Sequence, residues 1–95
     1  MDHLATMIRD LVDEGRYVVS EHASERITEC NFFEWQVIEG TISGIVLRER
    51  PRNRLHPAVE YEGLLPDGAR FKSDWCLLRQ TRIAKLVTVH YLDEE

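Results

Sequence analysis

The chain is poor in the features that mark secreted, membrane-bound or disordered proteins. No apolar run approaches the ~20 residues that a membrane-spanning helix needs. Met1-Asp2-His3 lacks the basic-then-apolar build of a secretion signal. The expectation is a cytoplasmic protein with no membrane partner. There are only two cysteines, Cys30 and Cys76, and they have no CxxC spacing. In a reducing compartment both read as small buried apolar residues. No Cys/His pair has zinc-like spacing, so neither a metal nor another cofactor is expected. There is no linker, low-complexity segment or repeat, and 95 residues are too few for two domains, so residues 1–95 read as one.

Basic residues are also in deficit. Lys and Arg number 12 against 17 Asp and Glu, a net charge of −5, which argues against a general nucleic-acid binder. The deficit is uneven. Residues 1–43 hold three basic and nine acidic side chains, whereas residues 44–90 hold nine basic and five acidic. The second stretch suits a local anion-binding surface, and it equally suits a solvated surface of mixed sign. Hydrophobic residues at 43% and charged residues at 31% supply enough of each kind for a packed domain rather than a disordered one.

What is present is clear periodicity. Leu4, Ile8, Leu11 and Val12, with Met7 beside them, predict a helix over 3–14, with Asp2 as its N-cap and Gly15 as its stop. Tyr17-Val18-Val19 is β-branched and aromatic and reads as a short strand or extended link. Ser20 caps a second helix over 21–30, whose inward stripe is Ala23, Ile27 and Cys30 and which Asn31 breaks. A third helix runs from 33 to 43, with Val37 and Ile38 inward, helped by Phe33 or Trp35, and Gly44 as its stop.

From Gly44 onward the period changes to two. Strands are expected over 45–49, 58–65, 69–78 and 83–91, with a loop at 51–57 and turns at Pro66-Asp67-Gly68 and Gln80-Thr81. The fold class is α+β, with N-terminal helices packed on one face of a C-terminal antiparallel sheet. Alternation puts Val59, Tyr61, Leu65, Phe71, Trp75, Leu77, Val87, Val89 and Tyr91 on the covered face. Glu60, Glu62, Arg70, Lys72, Asp74, Thr88 and His90 fall on the open one. The tryptophans and phenylalanines read as core rather than as base-stacking platforms.

Several segments together resemble one family. They are His22-Ala23-x-x-x-Arg26, the preceding Glu14-Gly15-Arg16-Tyr17, the helix ending at Gly44, the Pro66-Asp67-Gly68 hairpin and the closing Val87-Thr88-Val89-His90-Tyr91. They resemble the small bacterial domain-of-unknown-function family 4258, which is thought to be related to the RelE and BrnT ribonuclease toxins of toxin–antitoxin pairs. The resemblance spans roughly residues 8–91. It implies a RelE-like arrangement of helices followed by a sheet and, through ancestry, RNA cleavage without metal and an antitoxin-like protein partner. The Arg48–His56 segment is more basic, and Phe71–Trp75 more charged, than that family pattern.

Three groups of residues then carry candidate chemistry. His22 and Arg26, one helical turn apart, suit proton transfer and phosphate binding, or else pin their helix to strand ends at the helix–sheet seam. On the open face, His90 suits an acid or base, and Arg70 and Lys72 a phosphate clamp. The alternative is cross-strand pairing with Glu60 and Glu62. Arg48, Arg50, Arg52 and Arg54 alternate, with His56 after them, and form a one-sided comb if the chain is extended there. Such a comb tracks RNA phosphates, meets an acidic partner, or only solubilises a loop. The leading expectation is an RNA-directed protein, a metal-free endoribonuclease or its degenerate relative. Its rival is a non-catalytic protein-interaction module that uses the open face or the basic loop.

Overall fold

Helix ends explain where the elements begin and stop. A computed structural model of the chain describes residues 3–53 and 55–92, so the expected cap Asp2 and the last residue of the arginine comb, Arg54, lie outside the described residues. Helix α1 (His3–Asp13) buries Ala5, Ile8, Leu11 and Val12. It closes through Gly15 at φ 80°, where the Gly15 N–H donates to Val12 O (3.1 Å) and the Arg16 N–H to Leu11 O (2.8 Å). Helix α2 (Glu21–Glu29) starts at Ser20, whose hydroxyl accepts from the Ala23 N–H at 3.0 Å. It ends by the same device as α1, with Asn31 at φ 61° in place of glycine and the Phe32 N–H donating to Ile27 O at 2.9 Å.

Helix α3 (Glu34–Ser43) does stop at Gly44, but not through a left-handed residue. Gly44 is extended, with φ −82° and ψ −171°. Glycine is needed there because a Cβ would collide with the Glu62 carbonyl.

Five strands follow the expected positions: β1 (Tyr17–Val19), β2 (Ile45–Arg50), β3 (Ala58–Leu64), β4 (Arg70–Leu78) and β5 (Ile83–Tyr91). They form one sheet in the order β1-β5-β4-β3-β2. Strands β2 to β5 are an antiparallel meander. The β3–β4 hairpin turns at Pro66-Asp67-Gly68, with Gly68 at φ 91° and the Ala69 N–H donating to Asp67 Oδ1. The sheet is nevertheless mixed, because β1 pairs parallel to β5, Val18 opposite Lys85. The expected C-terminal antiparallel sheet stands, and residues 17–19, expected as a short strand or extended link, extend it as a parallel strand. No tight turn joins β1 to β5, so no local geometry dictated their relative direction.

The covered face carries Val59, Tyr61, Phe71, Trp75, Leu77 and Val89, packed beneath residues of all three helices. Val87 does not belong to it. Between β4 and β5 the register steps from Asp74↔Thr88 to Trp75↔Leu86, so Val87 is the extra residue of a bulge. The bulge reverses the parity of β5, and Ala84 and Leu86 take the buried positions instead.

Phe32, Phe71 and Trp75 are core as expected, but Phe33 (63% exposed) and Trp35 (57%) are not. Helix α3 turns Val37, Gly40 and Thr41 inward. Gly40 lies against Gly63 of β3 and the Phe71 ring, and so close an approach leaves no room for larger side chains between helix and strand.

One polar network is sealed inside. Thr41 Oγ1 donates to Val37 O at 2.8 Å and accepts from Trp75 Nε1 at 3.2 Å. Its single proton is thereby used, so Ser73 is the donor in the 2.9 Å Ser73–Thr41 bond.

Candidate functional site

Alternation lifts the even-numbered residues of β3 and β4 to the open face, where they form a charged network. Arg50, at the end of β2, reaches over it. Arg50 Nη1 lies 3.0 Å from Glu60 Oε2, and Nη2 lies 3.1 Å from Asp74 Oδ2. Lys72 Nζ lies 3.5 Å from the other Glu60 oxygen. The two carboxylates are nearly covered, with side chains 11% (Glu60) and 17% (Asp74) exposed. Burial pushes the Asp74 carboxyl above its usual range. Arg50 pulls it back, Glu60 adds to the rise, and the Arg50 hydrogen bond and Lys72 oppose it. In register, His90 stands opposite Lys72, and Thr88 opposite Asp74.

This geometry redistributes the expected roles. Arg70 and Lys72 do not form a joint clamp, because Arg70 Nη1 is 3.2 Å from Glu62 Oε2 near the far end of the strand. Arg50, expected on an exposed loop, is the residue that joins the network. The arginine comb is broken. Arg48 and Arg50 share the open face, opposite Glu60 and Ala58, but a turn follows in which the Asn53 N–H donates to Arg50 O at 3.2 Å. Arg52, exposed in that turn, does not continue their line.

The helical pair also separates in role. Arg26 Nε donates to Val89 O at 3.3 Å, and Nη1 pairs with Glu29 at 2.9 Å. Ser20 Oγ donates to Val87 O at 3.1 Å. Strand β1 reaches only Leu86 of β5, so Ser20 and Arg26 satisfy the edge carbonyls beyond it. His22 is exposed, and among the described residues it has no hydrogen-bond partner, so it does not pin the seam. It belongs to α2, whereas His90 belongs to β5 of the sheet.

Of two cavities nearby, the smaller adjoins the network, and the larger shares Leu55 and His56 with the smaller. One, of about 250 Å³, is lined on the open face by Arg50, His56, Asp74, Cys76, Lys85 and Val87, among others. The other, of about 520 Å³, lies between Leu55-His56 and the β4–β5 turn at Arg79-Gln80-Thr81. Sequence reasoning missed Lys85, because strict alternation from His90 puts it on the covered face and only the Val87 bulge turns it to the open one. Cys76 is buried, and burial raises its thiol pKa, with Lys85 opposing, so it is a packing residue rather than a nucleophile. Among the described residues, no group of three or more His, Cys, Asp or Glu could hold a metal ion, and no helix is long and apolar enough to cross a membrane.

No protein-family model, curated protein or solved structure matches the chain.

Proposed function

We propose that the open sheet face is the RNA-contacting site of a cytoplasmic, metal-independent endoribonuclease of RelE-like character, in keeping with the resemblance to family 4258. The observation that carries the reading is the convergence of Arg50, Lys72 and Asp74 beside His90 on an open face. Phosphodiester cleavage through the 2′-hydroxyl needs these parts: cations for the phosphate oxygens, a base for the hydroxyl and an acid for the leaving oxygen.

In this reading a phosphate displaces the carboxylates as partner of Arg50 and Lys72. His90 takes the 2′-hydroxyl proton as the 2′-oxygen–phosphorus bond forms. Asp74, whose burial favours its protonated form, gives a proton to the 5′-oxygen as its bond to phosphorus breaks. The products are a 2′,3′-cyclic phosphate and a 5′-hydroxyl. The test is cleavage of RNA by the purified protein, with end-group analysis. His90→Ala should lower the rate by about a hundredfold or more while RNA affinity changes by less than about twofold. Ends other than cyclic phosphate, or an unchanged rate in His90→Ala, would refute this assignment.

A second reading, a protein-interaction module, has its own support. Strand β2 is the last of the sheet, and it exposes Ile45 (60%) and Leu47 (41%). A partner strand, antitoxin-like in role, would pair with its outer edge. Binding of a protein partner without any RNA binding at low salt would favour it.

A further inference from the structure

We propose that the larger cavity, between Leu55-His56 and the Arg79-Gln80-Thr81 turn, is a subsite for one unpaired nucleotide, so that the RNA is taken as a single strand. The inference rests on the RNA reading above and adds the form of the substrate.

The first argument is continuity. The cavity of about 520 Å³ and the open-face cavity of about 250 Å³ share Leu55 and His56 as lining residues. A ligand seated in the larger one therefore leads into the smaller, toward Arg50, Asp74 and Lys85. A chain-like ligand fits that path, and the larger volume lies within the range of small-molecule sites.

The second argument is charge. The two linings hold three cations, Arg50, Arg79 and Lys85, against one carboxylate, Asp74, which Arg50 already holds. Among the described residues, Arg79, Lys85 and His56 form no ion pair. The path therefore selects an anion.

The third argument is shape and chemistry. The larger cavity is not purely cationic. Leu55 is 85% exposed at its mouth, Leu78 lies on its wall, and His56 offers a ring to stack on. Gln80 and Thr81 offer donors and acceptors to a base edge. An apolar surface, a ring and edge-reading polar groups suit a nucleobase, whose face is apolar and whose rim is polar. The turn that carries Gln80 is held in shape at a conformational cost. Arg82 sits at φ 55°, and its N–H donates to Leu78 O at 2.8 Å. A base already paired in a duplex keeps its edge occupied and its faces stacked, so it cannot enter.

The experiment measures affinity of the full chain for a short labelled oligoribonucleotide, single-stranded and annealed to its complement, at low salt. The wild type should prefer the single strand by about tenfold or more. Leu55→Ser and His56→Ala should each weaken single-strand binding by about five- to tenfold and leave duplex binding within about twofold. Both residues lie on the loop before β3, and retained melting temperatures will show that the variants fold. Equal wild-type binding of both forms overturns the inference alone. So does unchanged single-strand affinity in both variants while Lys72→Glu still weakens binding. Absence of any RNA binding by the wild type overturns the RNA reading as well. Competition by a short poly-glutamate peptide as effective as unlabelled RNA overturns the subsite in favour of an acidic protein partner.

Discussion

On the covered face of β4, Phe71, Ser73, Trp75 and Leu77 lie under helices. On its open face, Lys72 and Asp74 pair with the charged side chains Glu60 of β3 and Arg50 of β2. The same strand thus meets two demands. Inside, every polar atom of the Thr41–Ser73–Trp75 network has a partner, because an unpaired group there has no water to turn to. Outside, the pairing is incomplete. Arg50 binds two carboxylates through its terminal nitrogens, while among the described residues its buried Nε has no hydrogen-bond partner. The covered face is built for stability. The open face holds its charges in a partly desolvated state.

The strongest way to break the comparison is Thr41→Val. It keeps the shape but leaves Trp75 Nε1 and the Ser73 hydroxyl buried without an acceptor, and should cost about 1–3 kcal/mol of stability by urea unfolding. Ser73→Ala should cost less, because Thr41 keeps Val37 O and Trp75 as partners. Equal losses would mean that the network is not directed as described.

Asp74→Asn tests the open face, with an expected effect at neutral pH within about 1 kcal/mol. The Asp74 carboxyl is raised in the folded protein, so the folded state favours its protonated form. The stability this supplies is fully present below the ordinary carboxyl value of 3.8 and is lost as pH rises through the raised one. Asp74→Asn should therefore gain on the wild type as pH rises through that window. A steady loss instead would show that attraction to Arg50 outweighs burial. The smallest effect belongs to His22→Ala. An exposed residue without a hydrogen-bond partner should shift stability by no more than about 0.5 kcal/mol, read from the melting temperature.

Much of this was legible in the residues. Gly15 and Asn31 end their helices where an αL-tolerant residue follows an apolar period. Pro66-Asp67-Gly68 turns where the strand pattern pauses. The charged partners of the open face, Glu60, Lys72 and Asp74, were legible as one face of alternating strands. Arg50 was not, because whether the residues after Glu49 continue a strand or leave it depends on what β3 offers as a pairing edge. Val87 and Lys85 were misread or missed for a related reason. A single bulge reverses every side chain beyond it, and nothing in the local period announces one.

By itself the sequence determined the element types, most of their ends and the covered side of β3 and β4, since these follow from local backbone preference and from the period at which apolar residues recur. Only the tertiary structure decided that β1 runs parallel to β5, that Arg26 serves a strand edge and that Arg50 bridges Glu60 and Asp74. Each of those joins residues far apart in the chain, and such pairings are chosen by the register and packing of the whole sheet rather than by neighbours in sequence.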